Sequence, residues 1–226
     1  MRYPHAAKGI TKILIAEILM LIMSLSSIIL IIMMEVSGGV ENLQTILSSN
    51  GMGTAIVVTA IVTGGFVLVG GLLMIIGYFQ AAKDEEGFVR AIIMAVVSIV
   101  LTIIASFLQD KTGTLAWVYT IVLAASQITW LFVSVSAIGG MIDLSYNCGR
   151  SDMVRRGNTI LRMLETVYIL TFIIIVLKQV FNILIKSEII RVLMLVMESL
   201  IAVLSMIQYF LYLGYLGRVS SMLRNR

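Results

Sequence analysis

The sequence predicts an all-α polytopic membrane bundle of about six transmembrane helices. Three observations carry this. Hydrophobic residues make up 60% of the chain and charged residues only 12%, where soluble domains carry roughly 25% charged. Mean hydropathy is +1.06. Apolar runs long enough to cross a bilayer, about 20 residues each, also follow one another with short polar joints, which leaves no room for a soluble domain.

The expected helices are 12–34, 53–79, 89–108, 114–142, 160–185 and 189–217, all in one transmembrane domain, 1–226. The first follows a basic segment, Met1–Lys12, as a secretory signal would. Its apolar run, Ile13–Met34, is 22 residues long, beyond the roughly 7–15 of a signal core, so it reads as a retained span. The second is glycine-rich: Gly70 and Gly77 share a face at heptad spacing, Gly71 adjoins it, and Ala60/Gly64 form a small-xxx-small pair. Such residues let helix backbones approach closely. The third carries a stripe of Ala91, Ala95, Ser98, Thr102 and Ala105 at helical intervals, which reads as another packing face. The fourth is long and ends near Ser136/Gly140. The fifth is the least apolar, interrupted by Arg162, Glu165 and Lys178. The sixth places Glu198, Ser205 and Tyr212 at intervals of seven, with Gln208 beside them. Pro4 is the one proline and precedes the first helix, so no span carries a proline kink.

Lys and Arg set the orientation. Six spans put Arg2, Lys8, Lys12, Lys83, Arg90, Arg150, Arg155, Arg156, Arg162, Arg218, Arg224 and Arg226 on one side. Lys111, Lys178, Lys186 and Arg191 fall on the other. Twelve against four makes the first side, with both termini, cytoplasmic. The short outer loops point to a bacterial inner membrane.

An internal repeat is expected. Gly9, Gly87 and Gly157 each open an odd helix after a polar stretch, and Gly77-Tyr78, Ser145-Tyr146 and Gly214-Tyr215 each end an even one. The chain thus reads as three α-hairpins, 9–86, 87–156 and 157–226. Aligning the glycines places Glu17, Ala95 and Glu165 at one equivalent position, eight residues on.

Carboxylates within a span are costly in lipid, and so tend to face the bundle interior and to mark ion or proton paths. Glu17, Glu165 and Glu198 are therefore the candidate interior ion or proton sites. Ser24, Gln127, Ser205, Gln208 and Tyr212 form a candidate polar seam beside them. Gly70, Gly71, Gly77, Ala91, Ala95, Ser98 and Gly140 are the candidate packing positions. The structural alternative is that Glu165 pairs with Arg162 at i−3 and that the serines bond their own helix backbones.

Other chemistry is poorly supported. His5 and Cys148 are the only residues of their types, which leaves no metal site and no disulfide; no cofactor, nucleic-acid or catalytic motif is present, and the chain is expected not to be an enzyme. The basic segment with Arg150, Arg155 and Arg156 is an orientation signal that also suits anionic lipid headgroups. Two functions remain open: a transporter or channel-like protein for a cation or proton-coupled small solute, or a non-transporting scaffold or subunit that associates with itself or a membrane complex through small-residue faces.

Overall fold

The computed structural model describes residues 3–36, 52–108, 114–184 and 188–225. Among these, six α-helices follow one another: α1 Pro4–Val36, α2 Met52–Ala81, α3 Glu86–Leu108, α4 Thr114–Asn147, α5 Ser151–Leu184 and α6 Glu188–Arg224. All six are long and apolar enough to cross a membrane. The protein is a six-helix membrane bundle. The expected outer connections, and the side chains of Lys111, Lys178, Lys186 and Arg191, lie outside the described residues.

The helices run beyond their apolar cores, chiefly at the end that carries both termini. There α1 starts at Pro4, in place of residue 12, and α5 at Ser151, in place of 160. Local chemistry explains both starts. Proline is pre-organised for the first helical position, and Asp84, from the α2–α3 turn, accepts a hydrogen bond from the Ala6 N–H at 2.7 Å, satisfying a donor that the helix itself leaves open. Between α4 and α5, Gly149 adopts φ +68°. Its N–H reaches the Tyr146 carbonyl at 2.8 Å and the Arg150 N–H reaches that of Ser145 at 3.0 Å. This is a Schellman stop, followed at once by the first turn of α5.

Each helix packs against its neighbours in the chain, and α6 returns to α1, so the six form a closed ring. The α1–α2 and α3–α4 hairpins are packed most extensively and the α2–α3 seam is the thinnest. Glycines explain the tight crossings. A Cβ on Gly77 would lie 2.8 Å from the Gly9 carbonyl oxygen, and one on Gly87 would lie 2.7 Å from the Gly140 Cα. Gly157 is held between Ile142 of α4 and Tyr215 of α6.

The core lies at the terminal end. Ile10, Ile13, Phe88, Met141, Leu144, Tyr215, Leu216 and Val219 are fully buried there, and a hydroxyl contact of 2.7 Å joins Thr11 of α1 to Ser220 of α6. Outward faces are apolar instead: Ile61, Leu68 and Phe107 are 69–75% exposed. Faces of this kind suit lipid and would be unstable in water.

Candidate functional site

Beyond this core the ring encloses a cavity of about 750 Å³, and all six helices contribute to its wall. Ligand sites commonly span roughly 300–1,000 Å³. The wall includes Glu17 and Ser24 of α1, Gly71 and Tyr78 of α2, and Ala95 and Ile99 of α3. Opposite are Gln127, Trp130 and Ser134 of α4, Leu164, Tyr168 and Thr171 of α5, and Ser205, Gln208, Tyr209 and Tyr212 of α6.

Glu17 is the ionisable acid in this wall, and no Lys, Arg or His lines it among the described residues. The Tyr209 hydroxyl, with its one proton, lies within donating distance of two Glu17 oxygens, the backbone carbonyl at 2.8 Å and carboxylate Oε2 at 2.9 Å. Tyr212 lines the cavity beside the carboxylate. The Tyr209 and Tyr212 rings lie 6.5 Å apart, tilted by 46°. The Tyr209 contact fixes the carboxylate beside the closed end of the cavity, next to the buried Ile13 and Ala16. Such a group can hold a cation or a proton, while the aromatic wall excludes bulk water on the core side.

The other proposed acids lie elsewhere. Glu165 is exposed, against the expectation of an interior position. Its neighbour Leu164 lines the cavity in its place, because one residue along a helix turns the side chain by about 100°. Nor does Glu165 pair with Arg162: among the described residues the ion pair is Arg150–Asp152, at 2.9 Å. Glu198 is half-buried but outside the cavity, whose wall on α6 begins at Ser205, about 10 Å further along the axis. All five seam residues, Ser24, Gln127, Ser205, Gln208 and Tyr212, line the cavity. Ser24 and Ser205 also donate to the carbonyls of Met20 and Ile201 on their own helices.

The packing candidates divide. Gly70 rests against Met20 and Ala16, Gly77 and Gly140 form the crossings described above, and Ala91 is fully buried. Ser98 contacts Ser126 of α4 at 3.4 Å, and Thr102 reaches the same hydroxyl at 3.0 Å. Gly71 is the correction: a Cβ there would meet nothing within 4 Å, and the residue faces the cavity, where it leaves room in place of closing a helix contact. Ala95 does both, packing partly buried against the core and lining the cavity.

The composition-based reading missed Trp130, Tyr168 and Tyr209. Their signal was spacing: Trp130 stands three residues from Gln127 and four from Ser134, and Tyr209 stands four from Ser205.

A second cleft, of about 410 Å³, opens at the terminal end, where Arg150, Arg156 and Arg218 meet Ser221 and Asn225. Arg155 is exposed and does not line it. Among the described residues no cluster of three or more His, Cys, Asp or Glu could hold a metal ion.

No protein-family model matches the chain, and no curated protein or solved structure does either.

Proposed function

We propose that the protein is a small membrane transporter whose central cavity takes a cation or a proton-coupled solute, with Glu17 as the binding or proton-carrying group. The observation that carries this is a carboxylate, the one acid in the wall among the described residues, in a cavity to which all six helices contribute. A carboxylate at membrane depth is costly, and packing alone gives no reason to place one beside a space of this size. Ser24, Gln127, Ser205 and Gln208 offer hydrogen bonds to a solute, and Gly71 leaves room in the α2 wall. The reading assigns no catalytic step to the chain.

In this proposal both termini face the cytoplasm of a bacterial inner membrane, supported by the Lys and Arg asymmetry. The terminal cleft with Arg150, Arg156 and Arg218 suits an anionic lipid headgroup. The three hairpins are repeats, supported by the shared position of Gly9, Gly87 and Gly157 at helix contacts.

The test is reconstitution into liposomes with a trapped pH dye, under imposed proton, sodium or potassium gradients. Flux that Glu17→Gln abolishes, in a variant that still folds, supports transport. If wild type and Glu17→Gln are equally silent under every gradient, the scaffold reading takes over. It would then rest on the open outer face of α2 around Gly64 and Gly65.

A further inference from the structure

The wall of the cavity also narrows its ligand. We propose that the cavity binds a bulky organic cation, a quaternary ammonium or delocalised lipophilic cation, held between the Glu17 carboxylate and the rings of Trp130, Tyr168, Tyr209 and Tyr212. This rests on reading the cavity as a solute site.

Three observations point the same way. The first is charge. Among the described residues the wall holds one carboxylate and no basic residue, so a cation is the matching ligand and an anion is disfavoured. The second is the kind of wall. A small metal ion needs several oxygen ligands in a tight shell, six to eight for calcium and near-octahedral geometry for magnesium. Here one acid stands alone, and one of its oxygens already accepts from Tyr209 at 2.9 Å. What surrounds it is aromatic and soft: Tyr78, Trp130, Tyr168, Tyr209 and Tyr212, with Met20, Met74 and Met206. Aromatic rings attract cations that carry no tight hydration shell, and tryptophan does so best. Methionines adapt to irregular apolar shapes. The third is size. About 750 Å³ far exceeds a bare alkali ion and lies in the range of drug-sized ligands.

Placement adds a division of labour. Glu17 and Tyr209 are joined by a hydrogen bond at the core side, with the Tyr212 ring against that of Tyr209. Trp130 and Tyr168 come from α4 and α5, outside that network, and are free to hold the ligand's apolar body. Substitutions of the second pair should therefore alter affinity without disturbing the carboxylate.

The test uses purified protein in detergent on a Trp117→Phe background, so that Trp130 is the one tryptophan and can be excited apart from the tyrosines. Titration with tetraphenylphosphonium should quench its emission saturably. Glu17→Gln should weaken binding by at least about tenfold. Trp130→Leu and Tyr168→Leu, followed by calorimetry, should each weaken it about three- to tenfold with unchanged melting temperature. They carry the test if Glu17→Gln does not fold. Tetraphenylborate, of the same shape and opposite charge, should show no saturable binding, and sodium or magnesium chloride should not compete beyond their ionic strength. The proposal is overturned if the borate binds equally, or if tetraphenylphosphonium binding ignores all three substitutions; either result means partition into detergent or lipid. Glu17-dependent proton or alkali-ion flux in liposomes without tetraphenylphosphonium binding would overturn this inference and leave transport standing. Saturable, Glu17-dependent binding with no flux of any cation would do the reverse.

Discussion

The terminal end of the bundle and the cavity beyond it are built from the same residue types put to opposite use. At the terminal end, small residues close space. Gly9 and Gly77 let α1 and α2 touch backbone to backbone, and Gly87 and Gly140 do the same for α3 and α4. Less than two turns along α2 from Gly77, Gly71 leaves space open. Tyrosines divide in the same manner: Tyr215 is 2% exposed over Gly157 and fills the core, while Tyr209 turns its hydroxyl to Glu17. A small residue in a membrane helix thus shows only that something large is absent. The neighbouring helix decides whether backbone or solute occupies the place.

The largest effect should come from breaking that contrast within one helix. Gly77→Leu would drive a side chain into Ile13 and the Gly9 carbonyl. Overpacking of a tight site costs about 1–3 kcal/mol, occasionally more, so the variant should melt well below wild type or fail to accumulate. Gly71→Ala, six residues earlier, meets nothing; it should be neutral or gain up to about 1 kcal/mol from helix propensity. Thermal unfolding of the two in one detergent checks both, and equal losses would erase the distinction between the two regions.

The α3 stripe sharpens it next. Ala91 is fully buried and Ala95 faces the cavity. Ala91→Leu should cost about 1–3 kcal/mol. Ala95→Leu should fold, yet reduce ligand binding by filling the site, and Ile93→Leu, at a position 55% exposed to lipid, should change neither stability nor binding.

How much of this was legible beforehand depends on which helical property was being read. Length and hydropathy gave the six spans. Heptad spacing put Glu198, Ser205 and Tyr212 on one face of α6; Ser205 and Tyr212 line the cavity, and Glu198 on the same spacing lies outside it. Glu165 failed on rotation. Its shared offset from Gly157 fixed its depth, but a glycine held between two helices does not fix the angle at which its own helix presents later residues, and Leu164 took the inward place. Gly71 failed because spacing cannot tell a contact from a gap. Trp130 and Tyr168 were hidden by composition: aromatic residues in a span also serve as interface anchors, and only the fold shows these two at a cavity.

Smaller effects remain. Ser126→Ala would remove the hydroxyl that meets Ser98 and Thr102. Interhelical hydrogen bonds in membranes average about 0.6 kcal/mol, so a loss of that order is expected from equilibrium unfolding. The least effect concerns the α2–α3 turn. Desolvation and the charge of nearby Asp143 raise the Glu85 carboxyl above its ordinary range. A raised folded pKa means that the folded state binds the proton more tightly. Stability is therefore gained as pH falls through the folded pKa and lost as pH rises through it. A slight rise in melting temperature on mild acidification, removed in Glu85→Gln, is the expected sign; no difference between the two proteins across that range would contradict it.

The central claim, that the ring holds a carboxylate-bearing cavity reachable from water, is tested most directly by thiol accessibility in liposomes on a Cys148→Ser background. Cysteines at Ser24 and Ser205, which line the cavity, should react with a charged, membrane-impermeant thiol reagent. A cysteine at Leu68, 70% exposed on the outer face of the bundle, should stay unmodified because lipid covers it. Unreactive cavity positions under conditions that label a loop control, or a Leu68 cysteine that labels as fast as Ser24 and Ser205, would contradict it.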